Sequence, residues 1–173
     1  VTAIAVTEFA CTTANTNAYA SITVDPALVT GGTGTYVRYV FVNTNTAITV
    51  QDGPNATYIE TDPIGGNYSI TVYDDKGCIG VGTAVIEAYD ELLTATPSIS
   101  GDISCTPGND GEVTITVTST NNDASKFEYS NDNGVTWQAS NVFTGLDEGI
   151  HNFLVRHTDT GCELFSSIRI EDP

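Results

Sequence analysis

Tyr68-Ser69-Ile70-Thr71-Val72 alternates apolar and small polar side chains with a period of two, and His151-Asn152-Phe153-Leu154-Val155 repeats the pattern later in the chain. That period puts one set of side chains on a buried face and the other in water, the mark of a half-buried antiparallel strand. Two further pairs match across intervals of similar length. Ala20-Ser21-Ile22-Thr23-Val24 answers to Val113-Thr114-Ile115-Thr116-Val117, and Ala84-Val85-Ile86-Glu87 to Ile168-Arg169-Ile170-Glu171. Gly, Asn, Asp and Pro cluster between these runs, as turn chemistry requires. No segment shows a helical stripe, and Asp90-Glu91-Leu92-Leu93 reads as a turn of linker at most.

The cysteines follow the same repeat. Cys11 and Cys105 lie 94 residues apart, Cys78 and Cys162 84 apart. One module of some ninety residues is therefore written twice, over residues 1–90 and 91–173, each with a cysteine near its start and another near its end. The expected fold is all-β: two tandem immunoglobulin-like antiparallel β-sandwich modules of about seven short strands each. Pairing within each copy, Cys11 with Cys78 and Cys105 with Cys162, is expected over pairing between copies. Closing the 67-residue span from Cys11 to Cys78 would stabilise by roughly 4 kcal/mol in the chain-entropy model. None of the four forms a Cys-x-x-Cys, which points away from zinc and from an activated thiolate. Disulfides in small domains imply an oxidising, extracellular setting. The ten extra residues between the cysteines of the first copy fall in the Asn43 to Asp62 region, as a longer hairpin or an extra edge strand.

Five Lys and Arg stand against 22 Asp and Glu, for a net charge of −17. Residues 1–91 hold −8 of it and residues 92–173 hold −9, so the charge belongs to both halves rather than to a tail. Phosphate contacts need clustered Lys and Arg, which excludes nucleic acid as a partner. Anionic membranes are excluded on the same ground, and no apolar run is long enough to insert. The chain begins directly in Val1-Thr2-Ala3-Ile4 and stops at Glu171-Asp172-Pro173, as expected of an excerpt from a longer exported protein.

The first copy runs from Cys11 through Ser21-Ile22-Thr23-Val24 to Gly31-Gly32-Thr33-Gly34-Thr35-Tyr36. It continues through Gly66-Asn67-Tyr68-Ser69-Ile70-Thr71-Val72 and closes at Asp74-Asp75-Lys76-Gly77-Cys78. This resembles the SprB-type repeat of the very large surface adhesins of gliding bacteria. The second copy keeps Asp110-Gly111-Glu112-Val113 and Asp159-Thr160-Gly161-Cys162, but has Ala124-Ser125-Lys126-Phe127 in place of the double glycine and His151 in place of tyrosine. The resemblance implies tandem modules in one chain, export to the cell surface by the type IX route, and a role in gliding or surface attachment as stalk, spacer or fibre. Its expected partners are neighbouring repeat modules of the same chain and a glycan or other surface target. It implies no catalytic residues.

Ser130-Asn131-Asp132-Asn133-Gly134-Val135-Thr136-Trp137 matches the Asp-box of sialidases, physically a hairpin device. Asp132 can bond turn amides, Gly134 admits positive φ, Ser130 belongs to the box, and Trp137 packs beneath the turn. It occurs once, without a carboxylate-binding arginine cluster, so a structural turn is expected. A glycosidase would need a carboxylate pair in a cleft, which nothing marks. Calcium is the one cofactor the acidic turns suit, with candidate oxygen ligands near Glu87, Asp90, Glu91 and Asp102 and in the turns at 52–55, 74–77 and 131–134. His151 and His157 share strand parity but stand about 20 Å apart, too far to hold one metal, and are expected at a rim or partly buried. The alternative to an adhesive spacer is a carbohydrate-binding module, with Tyr36, Tyr39, Tyr58, Tyr89 and Trp137 as candidate stacking residues.

Overall fold

The computed structural model describes residues 3–12, 17–104 and 109–171. The chain divides into two compact units, one of Val1–Ala10 with Thr16–Tyr89, the other of Cys11–Asn15 with Asp90–Pro173. Each is a two-sheet antiparallel sandwich.

The first unit contains β1 (Ile4–Thr7), β2 (Ala20–Val24), β3 (Tyr36–Asn43), β4 (Ile48–Gly53), β5 (Thr57–Glu60), β6 (Gly66–Asp74) and β7 (Ile79–Ile86). One sheet runs β1-β2-β5, the other β4-β3-β6-β7. In β6 the alternation acts as expected. Tyr68, Ile70, Val72 and Asp74 point inward and are buried, while Ser69, Thr71 and Tyr73 face outward. Ala20, Ile22 and Val24 of β2 and Phe41 of β3 meet them in the core. A one-residue slip of β6 would exchange its two faces, so burial sets the register. The extra residues of the first copy form β4, an edge strand paired with β3. A constant-type immunoglobulin domain would place its fourth strand on the opposite sheet.

The second unit contains β8 (Leu92–Gly101), β9 (Gly111–Ser119), β10 (Phe127–Ser130), β11 (Val142–Leu146), β12 (Gly149–His157) and β13 (Glu163–Ile170). Its sheets run β11-β9-β8 and β10-β12-β13. Where the first unit has β4, this one keeps an isolated bridge between Tyr129 and Gln138. Val113, Ile115, Phe127, Phe153 and Val155 fill the core, with Phe143 and Phe153 at 5.0 Å between ring centroids. The stretch read as linker is part of this core. Asp90 and Leu92 are buried, and β8 starts at Leu92.

The disulfide differs from the expected pairing. Cys11 bonds Cys162, with Cα atoms 5.0 Å apart, and Cys78 is an exposed free cysteine. The cause is where Cys11 lies. Its N–H donates to Thr160 O at 2.7 Å, which places it against the β12–β13 turn that carries Cys162, within disulfide reach. Cys78 sits on the β6–β7 turn, held by its own N–H to Asp74. Cys105 lies outside the described residues.

Candidate functional site

Carboxylates that could have served as ligands are consumed by the fold. Asp74, buried at the end of β6, accepts N–H bonds from Thr33 (3.0 Å), Lys76 (2.9 Å) and Cys78 (2.8 Å). Burial pushes its pKa up, but the N–H donors of Cys78, Thr33 and Lys76 outweigh it and leave the carboxyl below the ordinary range. The cleft beside it, lined by Val29, Tyr36, Val72 and Gly80, has a volume of about 70 Å³, well short of a small-molecule site.

Asp132 organises the Asp-box turn. Its Oδ1 accepts from Ser130 Oγ (2.7 Å) and Thr136 N (2.9 Å), its Oδ2 from Thr136 Oγ1 (2.6 Å). These bonds, that of the Thr136 hydroxyl foremost, lower its pKa to about 2. Asn133 and Gly134 take φ of 57° and 80°. A Cβ on Gly134 would press on the Trp137 ring at 3.1 Å.

Asp90 is buried and accepts bonds from Ser119 Oγ (3.1 Å), Asn121 N (2.8 Å) and His157 Nε2 (3.0 Å). Glu87, Glu91 and Asp102 are exposed. No group of three or more His, Cys, Asp or Glu suited to a metal occurs among the described residues.

Sequence reasoning placed His157 at a rim or partly buried; it is 1% exposed. The amides of Asp159 and Thr160 point at its Nδ1 (3.3 and 3.4 Å), so the ring proton sits on Nε2 and is donated to Asp90. Ser, His and Asp thus meet, but the serine gives its proton to the aspartate and the imidazole's acceptor nitrogen is taken by backbone. This arrangement holds a turn and does not activate a nucleophile. His151 is half-buried, its Nε2 2.9 Å from Asp147 O.

The candidate stacking residues are also engaged. Tyr39 and Tyr89 are buried. Tyr36 donates its hydroxyl to Val29 O and Gly31 O. Tyr58 donates to Glu60 at 2.9 Å, and burial with that bond pushes its pKa up to about 12. Trp137 lies under the Arg156 guanidinium, 4.2 Å from the ring centroid.

The outward faces of the sheets that contain β6 and β12 are accessible and carry the arginines. All three arginines of the chain are Arg38, Arg156 and Arg169, on β3, β12 and β13 of those sheets. Two of them build the same device. Arg38 forks onto Asp52 through Nε and Nη2, both at 2.6 Å, and lies 4.9 Å from the centroid of Tyr73. Arg156 reaches Glu128 Oε2 with Nε (2.8 Å) and Nη2 (2.6 Å) beneath its contact with Trp137. Hydrogen bonding across the first pair lowers the Asp52 pKa and raises that of Arg38. Each cluster sits on a cross-strand pair, Arg38 opposite Tyr73 and Glu128 opposite Arg156. Arginine with an aromatic partner is what interface centres favour. Sequence reading missed these clusters because their members are far apart in the chain; the scarcity of arginine was the available signal.

No protein-family profile matches the chain, and no curated protein matches its sequence. Solved structures share its fold at low identity. A C-terminal 282-residue fragment of intimin, in complex with the intimin-binding domain of its translocated receptor, aligns at 13% identity and TM-score 0.53, over 98% of this chain. This chain spans 63% of that fragment. The fibronectin(III)-like modules of Clostridium thermocellum CbhA align at 13% identity and TM-score 0.50, over 96% of this chain and 92% of theirs. Murine CEACAM1b aligns at 11% identity and TM-score 0.50, over 97% and 98%. The chain is an all-β protein of immunoglobulin-like and fibronectin(III)-like architecture.

Proposed function

We propose that the chain is a structural and adhesive repeat segment of a large exported cell-surface adhesin, of the SprB-type resemblance, serving as stalk, spacer or fibre in attachment or gliding. The observation that carries this reading is one repeated strand pattern folded into two sandwich units whose buried acids and histidine are spent on turns. Such units tolerate tandem repetition, since each has its own core. The intimin fragment, receptor-bound by its description and similar in fold over 98% of this chain, supports the reading. Export, by the type IX route in this reading, fits the disulfide. No helix among the described residues is long and apolar enough to cross a membrane. The glycan-binding alternative gains nothing from its candidate residues Tyr36, Tyr39, Tyr58, Tyr89 and Trp137, which are buried, hydrogen-bonded or covered.

Protease treatment of intact producing cells tests the proposal. The segment should be shed into the medium as folded, disulfide-bonded fragments, and cells lacking the parent protein should attach less. Retention of the segment inside protease-treated cells would overturn it.

A further inference from the structure

The outward face of the first unit's four-stranded sheet follows from its register. Arg38–Tyr73, Val40–Thr71 and Val42–Ser69 pair between β3 and β6. Tyr73–Ile79, Thr71–Val81 and Ser69–Thr83 extend those rows onto β7, and Asp52 of β4 lies opposite Val40. The charges here are Arg38 and Asp52, and they neutralise each other. On a chain of net charge −17 this is a neutral surface, and Ile79, Val81 and Val85 are 65, 54 and 47% exposed on it.

We propose that this face is a self-association surface on which a second copy of the chain docks face to face. Charge selects that occupant. Two copies at −17 repel wherever their acidic turns meet, and a face without net charge is where they approach with least repulsion. A basic partner would be drawn to the acidic turns instead, and an anionic ligand would find the Arg38 guanidinium already held by Asp52. A partner as neutral and as rich in Thr and Val is what fits, and the chain itself carries one. Four strands about 4.8 Å apart, at about 3.3 Å per residue, cover roughly 450 Å² per copy, the size of a weak, reversible contact. Tethering many copies would strengthen it by avidity. The inference concerns the isolated chain and stands whether or not the adhesin reading does.

Sedimentation equilibrium of the full chain, over a concentration series at low and high salt, tests it. The expected result is a monomer–dimer equilibrium that dissociates on dilution, unlike a dimer linked through Cys78, and strengthens with salt as repulsion is screened. Ile79→Glu and Val85→Glu should each weaken dimerisation about tenfold or more by setting like charges face to face. Ile59→Glu, at an exposed position of β5, should leave it unchanged. Circular dichroism verifies that each variant is folded. A chain that stays monomeric at every concentration and salt overturns the proposal. So does association that weakens with salt, that ignores Val85→Glu, or that Ile59→Glu abolishes equally.

Discussion

Glu60 shows what one buried carboxylate does in this protein. It lies at the end of β5, 6% exposed, and accepts the hydroxyls of Tyr68 and Tyr58 and the amides of Thr61 and Asp62. Burial raises its pKa, but those donors, Tyr68 foremost, more than reverse it, and the carboxyl titrates below its ordinary range. Because the folded value is depressed, the stabilisation is complete above the unfolded carboxylate range and is lost as pH falls through the folded value. Glu60→Ala leaves two hydroxyls and two amides without their acceptor and should cost about 3 kcal/mol in urea denaturation. Glu60→Gln should cost less and should flatten the acid limb of the stability curve. Asp90→Ala strands the donors of Ser119, Asn121 and His157 together and should cost about 3 kcal/mol. Nitrogen-15 NMR should show a proton on His157 Nε2 shared with Asp90, and an Nδ1–H signal would refute the hydrogen-bond assignment. At Asp132, depressed to about 2, order in the turn should persist through pH 4 and fail as pH approaches 2, visible in Trp137 fluorescence. The roles of Glu60 and Asp90 were not legible in sequence, where they look like any other acid on a chain with 22 of them.

At the scale of elements, alternation was the readable signal. β2, β6, β7, β9, β12 and β13 each include a run whose parity identified the buried face, since a pleated strand leaves no choice once one face is apolar. β4 was anticipated only as a longer hairpin or an edge strand. Its sequence, Ile48-Thr49-Val50-Gln51-Asp52-Gly53, alternates over four residues only, and the alternation marks no buried face: none of its residues is buried and a register shift interrupts its pairing with β3. Asp90 to Leu93 was misread as linker because two acids followed by two leucines look alike in a turn and at a strand entry. The connection from β5 to β6 tests turn chemistry. Gly65 has φ +63°, and a Cβ there would collide with the backbone carbonyl of Ile86. Gly65→Ala should therefore destabilise by about 2 kcal/mol, more than loss of a permissive turn glycine, because backbone cannot move aside as a side chain can. Thermal denaturation measures this, and an unchanged midpoint would show that the turn relaxes.

For the molecule as a whole, the cross-link decides how the chain bears load. Cys11 and Cys162 are 151 residues apart in sequence, so tension applied at the two ends passes through the sulfur bridge and bypasses the residues between. An oxidised chain stretched from its termini in optical tweezers should extend only by the short segments outside the bridge. After reduction it should release roughly 500 Å of additional contour, at about 3.5 Å per residue. Full extension of the oxidised chain would show that the bridge is absent. With pairs confined to each copy, most of each module would be shielded separately, so sequence and structure differ in a measurable way. The sequence by itself determined the all-β class, the repeated strand pattern, the inward face of most strands and the acidic, lysine-poor surface. These depend on period, composition and local turn chemistry, which are properties of neighbouring residues. The tertiary structure alone decided that Cys11 meets Cys162, that His157 and Asp90 are buried together, and that Arg38 finds Asp52 and Tyr73. Each of these joins residues from different strands, and which ones meet depends on how sheets close over a core, a choice that no local pattern encodes.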